Sequence, residues 1–282
     1  MWGRLFGERV SNQYLAFADP RATGGIAGLQ AGFDIWRGSL GGGRDTAGLY
    51  VAYSNASIDA TGLVTNPTAT GYVLGHTGKL NLNAVSGAAY WTHVGPGGWY
   101  LDAVAQVTGY DGTASTLTTQ LDTTGVGTLA SLEGGLPIAL PAFGPGFVLE
   151  PQAQIIWQRV QFDDAGDQFG AVALGTTSGM TGRIGVRGRW TMLTAGGQVW
   201  QPYLRANLWE DWGADAPAVY AGTDLVPLSE RGRRLQLGGG VTARINTSTS
   251  LYANADYQFA IDDTDGGRRD SVRAAAGVRF IW

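Results

Sequence analysis

The segment Ser271–Trp282 alternates without a break. Val272, Ala274, Ala276, Val278, Phe280 and Trp282 form one apolar row, while Ser271, Arg273, Ala275, Gly277, Arg279 and Ile281 form the other, which carries arginine twice. A period of two sends successive side chains to opposite faces of a strand. An aromatic at the last position matches the ring girdles that membrane β-barrels place at the lipid–water boundary. Soluble domains usually fray into polar residues at their ends. This strand predicts an all-β fold whose apolar face meets lipid.

Composition narrows the choice. Charged residues are 15% of the chain, glycine occurs 45 times, and the mean hydropathy of −0.04 is too polar for a helical membrane protein. No run of about 18 apolar residues exists to form a spanning helix. A barrel reconciles these values, because only alternate residues face lipid. The 10 Trp and 11 Tyr suit interfacial belts. Cysteine is absent, which excludes a disulfide framework and thiolate metal sites. The net charge is −4 and Lys79 is the only lysine, so there is no basic cluster for nucleic acid. Met1–Arg9 has no apolar h-region and is not a signal peptide. An outer-membrane protein must cross the inner membrane, which predicts a signal upstream in a longer precursor.

Gly- and Asp-rich punctuation divides the chain into strand-like segments at 2–10, 25–36, 46–58, 79–93, 99–111, 126–138, 147–162, 180–192, 198–212, 232–246, 250–261 and 270–282. Short turns are expected at Arg37–Asp45, Gly95–Gly98, Ala139–Gly146, Leu193–Gly197 and Thr247–Thr249. Long polar loops are expected at Ser11–Gly24, Asp59–Gly78, Gly112–Gly125, Asp163–Gly179, Gly213–Arg231 and Asp262–Arg269. Such alternation is typical of outer-membrane barrels.

Strand faces can be read directly. Leu149, Pro151, Ala153, Ile155 and Trp157 alternate with Glu150, Gln152, Gln154 and Gln158. The apolar faces are rich in Ala and Gly with aromatics at their ends, and the opposite faces are polar. This inverted polarity favours lipid outside and water inside. Parity sends Asp102, Glu133, Glu150, Gln152, Gln154, Arg183, Arg187, Arg205, Arg234, Arg244, Asp256, Arg273 and Arg279 to the lumen. Twelve strands at ~4.8 Å spacing and ~40° tilt give a backbone radius of roughly 12 Å. That leaves a bore of roughly one α-helix with its side chains.

Phe147–Gln158, with its Leu-Glu-Pro-Gln-Ala-Gln run, resembles the mid-barrel strand of the translocator (β) domain of monomeric autotransporters, the type V secretion proteins. Trp2-Gly3-Arg4, Gly98–Asp102, Gln201–Asn207 and the aromatic C-terminus extend the likeness in order along the chain. The resemblance implies one domain over 1–282, a twelve-stranded antiparallel transmembrane barrel of the Gram-negative outer membrane. It implies a pore that supports protein transport, exporting an N-terminal passenger, with a linker helix upstream of Trp2 lying in the pore. It also implies that the β-barrel assembly machinery reads Val278, Phe280 and Trp282. The further partners expected are outer-membrane lipid and periplasmic chaperones, with the barrel working as a monomer.

Other chemistry reads weakly. His76 and His93 have no Ser/Asp context for a hydrolase triad. Asp262-Asp263-Thr264-Asp265 and Asp163-Asp164 lack a bidentate glutamate for Ca²⁺ and read as solvated loop charge. Gly238-Gly239-Gly240 has no Lys-Ser/Thr after it and is no phosphate loop. No catalytic residue, metal or cofactor is expected, and no nucleic-acid partner. The alternatives are a narrow porin-like diffusion channel and, behind it, an outer-membrane hydrolase.

Overall fold

The computed structural model describes residues 1–14, 17–173, 175–220, 224–262 and 267–281, with the backbone alone over 214–220 and 224–231. Its twelve long strands are β1 Trp2–Gln13, β2 Arg21–Gly38, β3 Arg44–Thr65, β4 Tyr72–Val94, β5 Tyr100–Thr116 and β6 Gln120–Gly135, then β7 Val148–Phe162, β8 Thr176–Arg189, β9 Val199–Tyr220, β10 Asp224–Arg244, β11 Thr249–Ala260 and β12 Arg268–Phe280. Each pairs antiparallel with its neighbours in sequence. The last strand returns to the first, from Trp2 opposite Arg279 to Gln13 opposite Arg268. The sheet therefore closes, and no edge is left within the band that lipid covers.

The exterior explains where lipid lies. Leu5, Phe33, Leu49, Val51, Ile184, Leu204 and Val272 are all exposed, an arrangement that water would penalise and hydrocarbon does not. Aromatics bound this surface. Phe33, Trp36, Trp200 and Phe280 lie near the rim that carries the chain ends, and Tyr53, Trp157 and Tyr257 lie further along their strands. On β7 the step from Leu149 to Trp157 rises ~20 Å at ~3.3 Å per residue and ~40° tilt, close to the ~25 Å height of a lipid-facing band. Beyond it the outward row turns polar. Asn55, Asn83 and Asp111 follow Tyr53, Val85 and Val107 on adjacent strands, joined by Asn55 Nδ2 to Asn83 Oδ1 at 3.0 Å and Asn83 Nδ2 to Asp111 Oδ2 at 3.3 Å.

Strands continue well past that polar row, where the sequence suggested loops. Pairing of β3 with β4 runs out to Thr65 opposite Tyr72, leaving only 66–71 as a turn. The span Gly112–Gly125 is a hairpin turning at 117–119, and backbone pairing of β9 with β10 reaches Tyr220 opposite Asp224. A strand with water on both faces has no buried face to fix an apolar–polar alternation, so it loses the period that marks a strand. At the opposite rim the connections are more elaborate than expected. The β6–β7 link contains the short strand Ile138–Ala139 and a 3₁₀ turn at Pro141–Phe143, and Met192–Leu193 pairs with β9. Among the described residues no group of acids or histidines could hold a metal ion. Asp262 accepts a hydrogen bond from the Arg233 amide at 3.0 Å, while Asp263, Thr264 and Asp265 lie outside the described residues.

Candidate functional site: the barrel interior

The parity opposite the lipid-facing row supplies the interior, and large side chains there lie over glycines. Tyr203 stands opposite Gly240, Tyr100 opposite Gly135, Tyr90 opposite Gly48, Trp2 opposite Gly32 and Tyr252 opposite Gly277. A Cβ at Gly240 would come within 2.6 Å of the Tyr203 hydroxyl, and one at Gly32 within 2.7 Å of the Trp2 ring. Interior glycine thus makes room for the partner's ring on the concave side of a tightly curved sheet.

One arc of the wall is ionic. Glu150 on β7 pairs with Arg187 on β8 at 2.6 Å and accepts from Gln152 at 2.7 Å. Glu133 on β6 pairs with Arg183 on β8 at 2.8 Å and accepts from the Tyr100 hydroxyl at 2.7 Å. Gln152 in turn donates to Tyr100 at 2.9 Å, and Gln154 donates to Ser131 at 2.8 Å. Arg205 on β9 grips both carboxylate oxygens of Asp256 on β11, reaching across the intervening Gly238. Arg234 pairs with Asp211 at 2.8 Å, and Thr181 donates to the same carboxylate. The guanidinium of Arg183 lies 5.5 Å above the Trp209 ring and that of Arg187 lies 5.7 Å from Tyr203. Such stacking suits the flat, weakly hydrated guanidinium better than an ammonium. Glu150 and Asp256 are each 4% exposed, so these carboxylates depend on their cations for solvation.

The other arc, over β1–β5, is mostly neutral. Trp2, Tyr50 and Tyr90 cluster, with Trp2 5.7 Å from Tyr50 and 6.2 Å from Tyr90. Tyr50 donates to Gln106 at 2.7 Å, Gln106 donates to Thr108 at 3.0 Å, and Ser86 bonds Thr108 at 2.8 Å. Asp102 accepts from Thr92 at 2.6 Å. Arg4 on β1 and Asp102 on β5 are charged members of this arc, and paired charge appears at its ends. Arg273 pairs with Glu8 at 2.7 Å, and Arg279 joins Asp34 at 3.4 Å, where Arg37 and Tyr90 also donate.

All of the sequence-derived lumen residues but Arg244 therefore fall into three groups. Glu133, Glu150, Gln152, Arg183 and Arg187 meet in one network; Arg205 with Asp256, and Arg234 with Asp211, form separate pairs. Asp102, Gln154, Arg273 and Arg279 bond to their own neighbours. Arg244 is exposed at the end of β10 and makes no ion pair among the described residues. Val278 and Phe280 point outward at the seam, where the Phe280 amide donates to Met1 O at 2.8 Å, and Trp282 lies outside the described residues. Parity alone would also have found Tyr100, Tyr203, Asn207 and Gln236, which occupy the same rows. Asn207 is 1% exposed and donates to Gln236 at 2.9 Å. His93 bonds the fully buried Asp45, which also accepts from Trp91 and from the Leu40 amide. That arrangement clamps the β2–β3 turn.

Comparison with known proteins agrees with this geometry. The family model described as autotransporter beta-domain matches residues 1–256. The BrkA autotransporter of Bordetella pertussis is 30% identical over 276 residues, which are 93% of this chain and 24% of the relative. The crystal structure of the BrkA β-domain superposes with a TM-score of 0.68 at 25% identity, covering 100% of this chain and 98% of that one. The transport unit of AIDA-I from Escherichia coli gives 0.79 at 18% identity, covering 100% and 90%. The chain spans about a quarter of the length of the BrkA and pertactin autotransporters it matches. An autotransporter β-domain is a transport barrel and not an enzyme. The closed twelve-stranded sheet, its lipid-facing exterior and this shared sequence place the chain in the autotransporter β-domain family, as an outer-membrane barrel of Gram-negative bacteria.

Proposed function

We propose that this barrel exports a passenger carried in the same precursor, and that the passenger crosses through the interior described above. The observation that carries the reading is the inverted polarity: hydrogen-bonding side chains within, exposed apolar side chains without. A polar passage lets peptide groups cross without entering hydrocarbon, where each unsatisfied group costs several kcal/mol. The ion pairs fix the wall over β6–β11 and present neutralised charge there, so along that arc the passing chain meets hydrogen-bonding partners. Outer-membrane lipid covers the exterior, and the assembly machinery and periplasmic chaperones act before closure. Val278 and Phe280 on the outward row of β12 are the residues such machinery would read. The barrel works as a monomer.

Arg4 and Leu5 give the test. They are adjacent on β1 and point to opposite sides, Arg4 to the interior and Leu5 to lipid. The chain has no cysteine, so single substitutions are clean reporters. In a precursor stalled during export, Arg4→Cys should cross-link to a cysteine in the passenger and Leu5→Cys should not. Equal capture at both positions, or none at Arg4→Cys, would sink the reading. A diffusion channel would instead conduct in planar bilayers with its linker helix present.

A further inference from the structure

The hairpin of β3 and β4 ends in an unequal pair of edges. On the β3 side, pairing with β2 stops at Thr61 opposite Arg21. There the Leu63 amide donates to Ala18 O at 2.7 Å, so the preceding turn covers that edge. On the β4 side, β5 reaches only as far as Thr116 opposite Gly78. Tyr72–Thr77 therefore pairs with β3 alone, and among the described residues no strand lies on its other edge. Natural sheets usually blunt such an edge with lysine, proline or inward charge. This one reads Tyr-Val-Leu-Gly-His-Thr. Tyr72, Val73 and Leu74 are 63%, 46% and 48% exposed, and the exposed ring of Phe17 meets Tyr72 at 6.2 Å. A bulge at Thr77 is the only interruption before the barrel wall resumes.

The edge is held ready. The Asn66 side-chain oxygen fixes the turn by accepting from the Thr70 backbone N–H at 2.9 Å and from Thr68 Oγ1 at 3.2 Å, while the Asn66 backbone N–H donates to Gly71 O at 2.9 Å. A strand docking here would meet a backbone already ordered, which lowers the entropy lost on binding. The edge also stands on the far side of the polar exterior row, at the mouth through which an exported chain would leave.

We propose that Tyr72–Thr77 receives an extended, apolar segment of the passenger by strand addition as it emerges, seeding the first folded structure outside. The inference rests on the export reading above. Free backbone groups supply the affinity, and the exposed Tyr, Val and Leu select for apolar side chains at alternate positions. The relatives carry roughly three-quarters of their length outside the matched region, so the candidate strand is tethered to the barrel. Tethering gives it a millimolar-scale local concentration that a free protein lacks.

The test uses the full precursor in cells. Replacing Val73 and Leu74 together with lysine should leave barrel assembly unchanged, scored by migration of unheated against heated samples. The passenger should still reach the surface but gain protease resistance roughly tenfold more slowly, the effect of two lost cross-strand contacts. Resistance gained at the wild-type rate overturns the proposal. Should that variant fail to assemble, His76→Cys in an otherwise unchanged barrel is cross-linked against a cysteine scan of the passenger. A link within one chain supports the proposal; links only between two barrels, or none to the passenger, overturn it. A wild-type precursor that never exposes its passenger sinks the export reading and this inference with it, and differs visibly because no variant is needed to see it.

Discussion

The two arcs of the interior solve one problem with different chemistry. Over β6–β11, acids and arginines alternate between strands and neutralise one another in pairs, most of them well shielded from water. Over β1–β5, tyrosines, a tryptophan and hydroxyls bond in neutral chains. Both are polar and both lie over glycine. They differ in what failure costs. An ionic pair that loses one member strands a charge, whereas a neutral chain that loses one member gives up a single hydrogen bond. The ionic arc is therefore the rigid side of the pore and the neutral arc the tolerant side.

The sharpest way to break that contrast is Arg205→Leu. It leaves Asp256 buried without its cation, and a loss of about 3–5 kcal/mol is expected. The temperature at which the compact, fast-migrating form disappears on gels should fall well below wild type. A midpoint within a degree of wild type would remove the distinction between the arcs. Next is Gly240→Val, which crowds the Tyr203 hydroxyl and should cost about 1–3 kcal/mol. Gly87→Ala, on the lipid-facing row with nothing within 4 Å of the new methyl group, is the matched control and should be neutral. The same melting assay reads both. Tyr50→Phe on the neutral arc removes the bond to Gln106 and should cost about 1 kcal/mol. A loss as large as that of Arg205→Leu would show the arcs to be equivalent.

The smallest effect lies outside the membrane. In the β1–β2 turn, the hydrogen bond from Arg21 at 2.6 Å, aided by one from Gln13, holds the Asp19 carboxyl below the usual carboxylate range. A depressed folded pKa means this contribution exists above the unfolded value of about 3.9 and disappears as pH falls through the folded one. The difference in melting temperature between wild type and Asp19→Asn should therefore be small at pH 7 and vanish at strongly acid pH. A difference that grows in acid would contradict the assignment.

Much of this was legible because the barrel obeys one rule within lipid. The alternation of β12 located its outward row, and the same parity located Glu150, Arg187, Arg205 and Asp256. What parity could not supply was partnership. Arg205 meets Asp256 across an intervening strand, and that depends on registers set by the closure of the sheet. The abundance of glycine was visible in composition, but its reason was not. Gly32, Gly48 and Gly240 make sense only once Trp2, Tyr90 and Tyr203 are known to lie opposite. The outer hairpins were missed for a physical reason. Water on both faces removes the pattern by which strands are recognised, so 59–65 and 72–78 read as loop although their backbones are paired.

The seam between β1 and β12 has a kinetic consequence. Every other strand pair is a hairpin between neighbours, and such contacts form early because little chain must be drawn together. Pairing Trp2 with Arg279 closes nearly the whole polypeptide into one ring. The molecule can therefore exist as an almost complete ribbon, lacking one ladder of hydrogen bonds, and become a barrel in a single late event. Whatever holds those two strands apart sets the moment at which the pore comes into being.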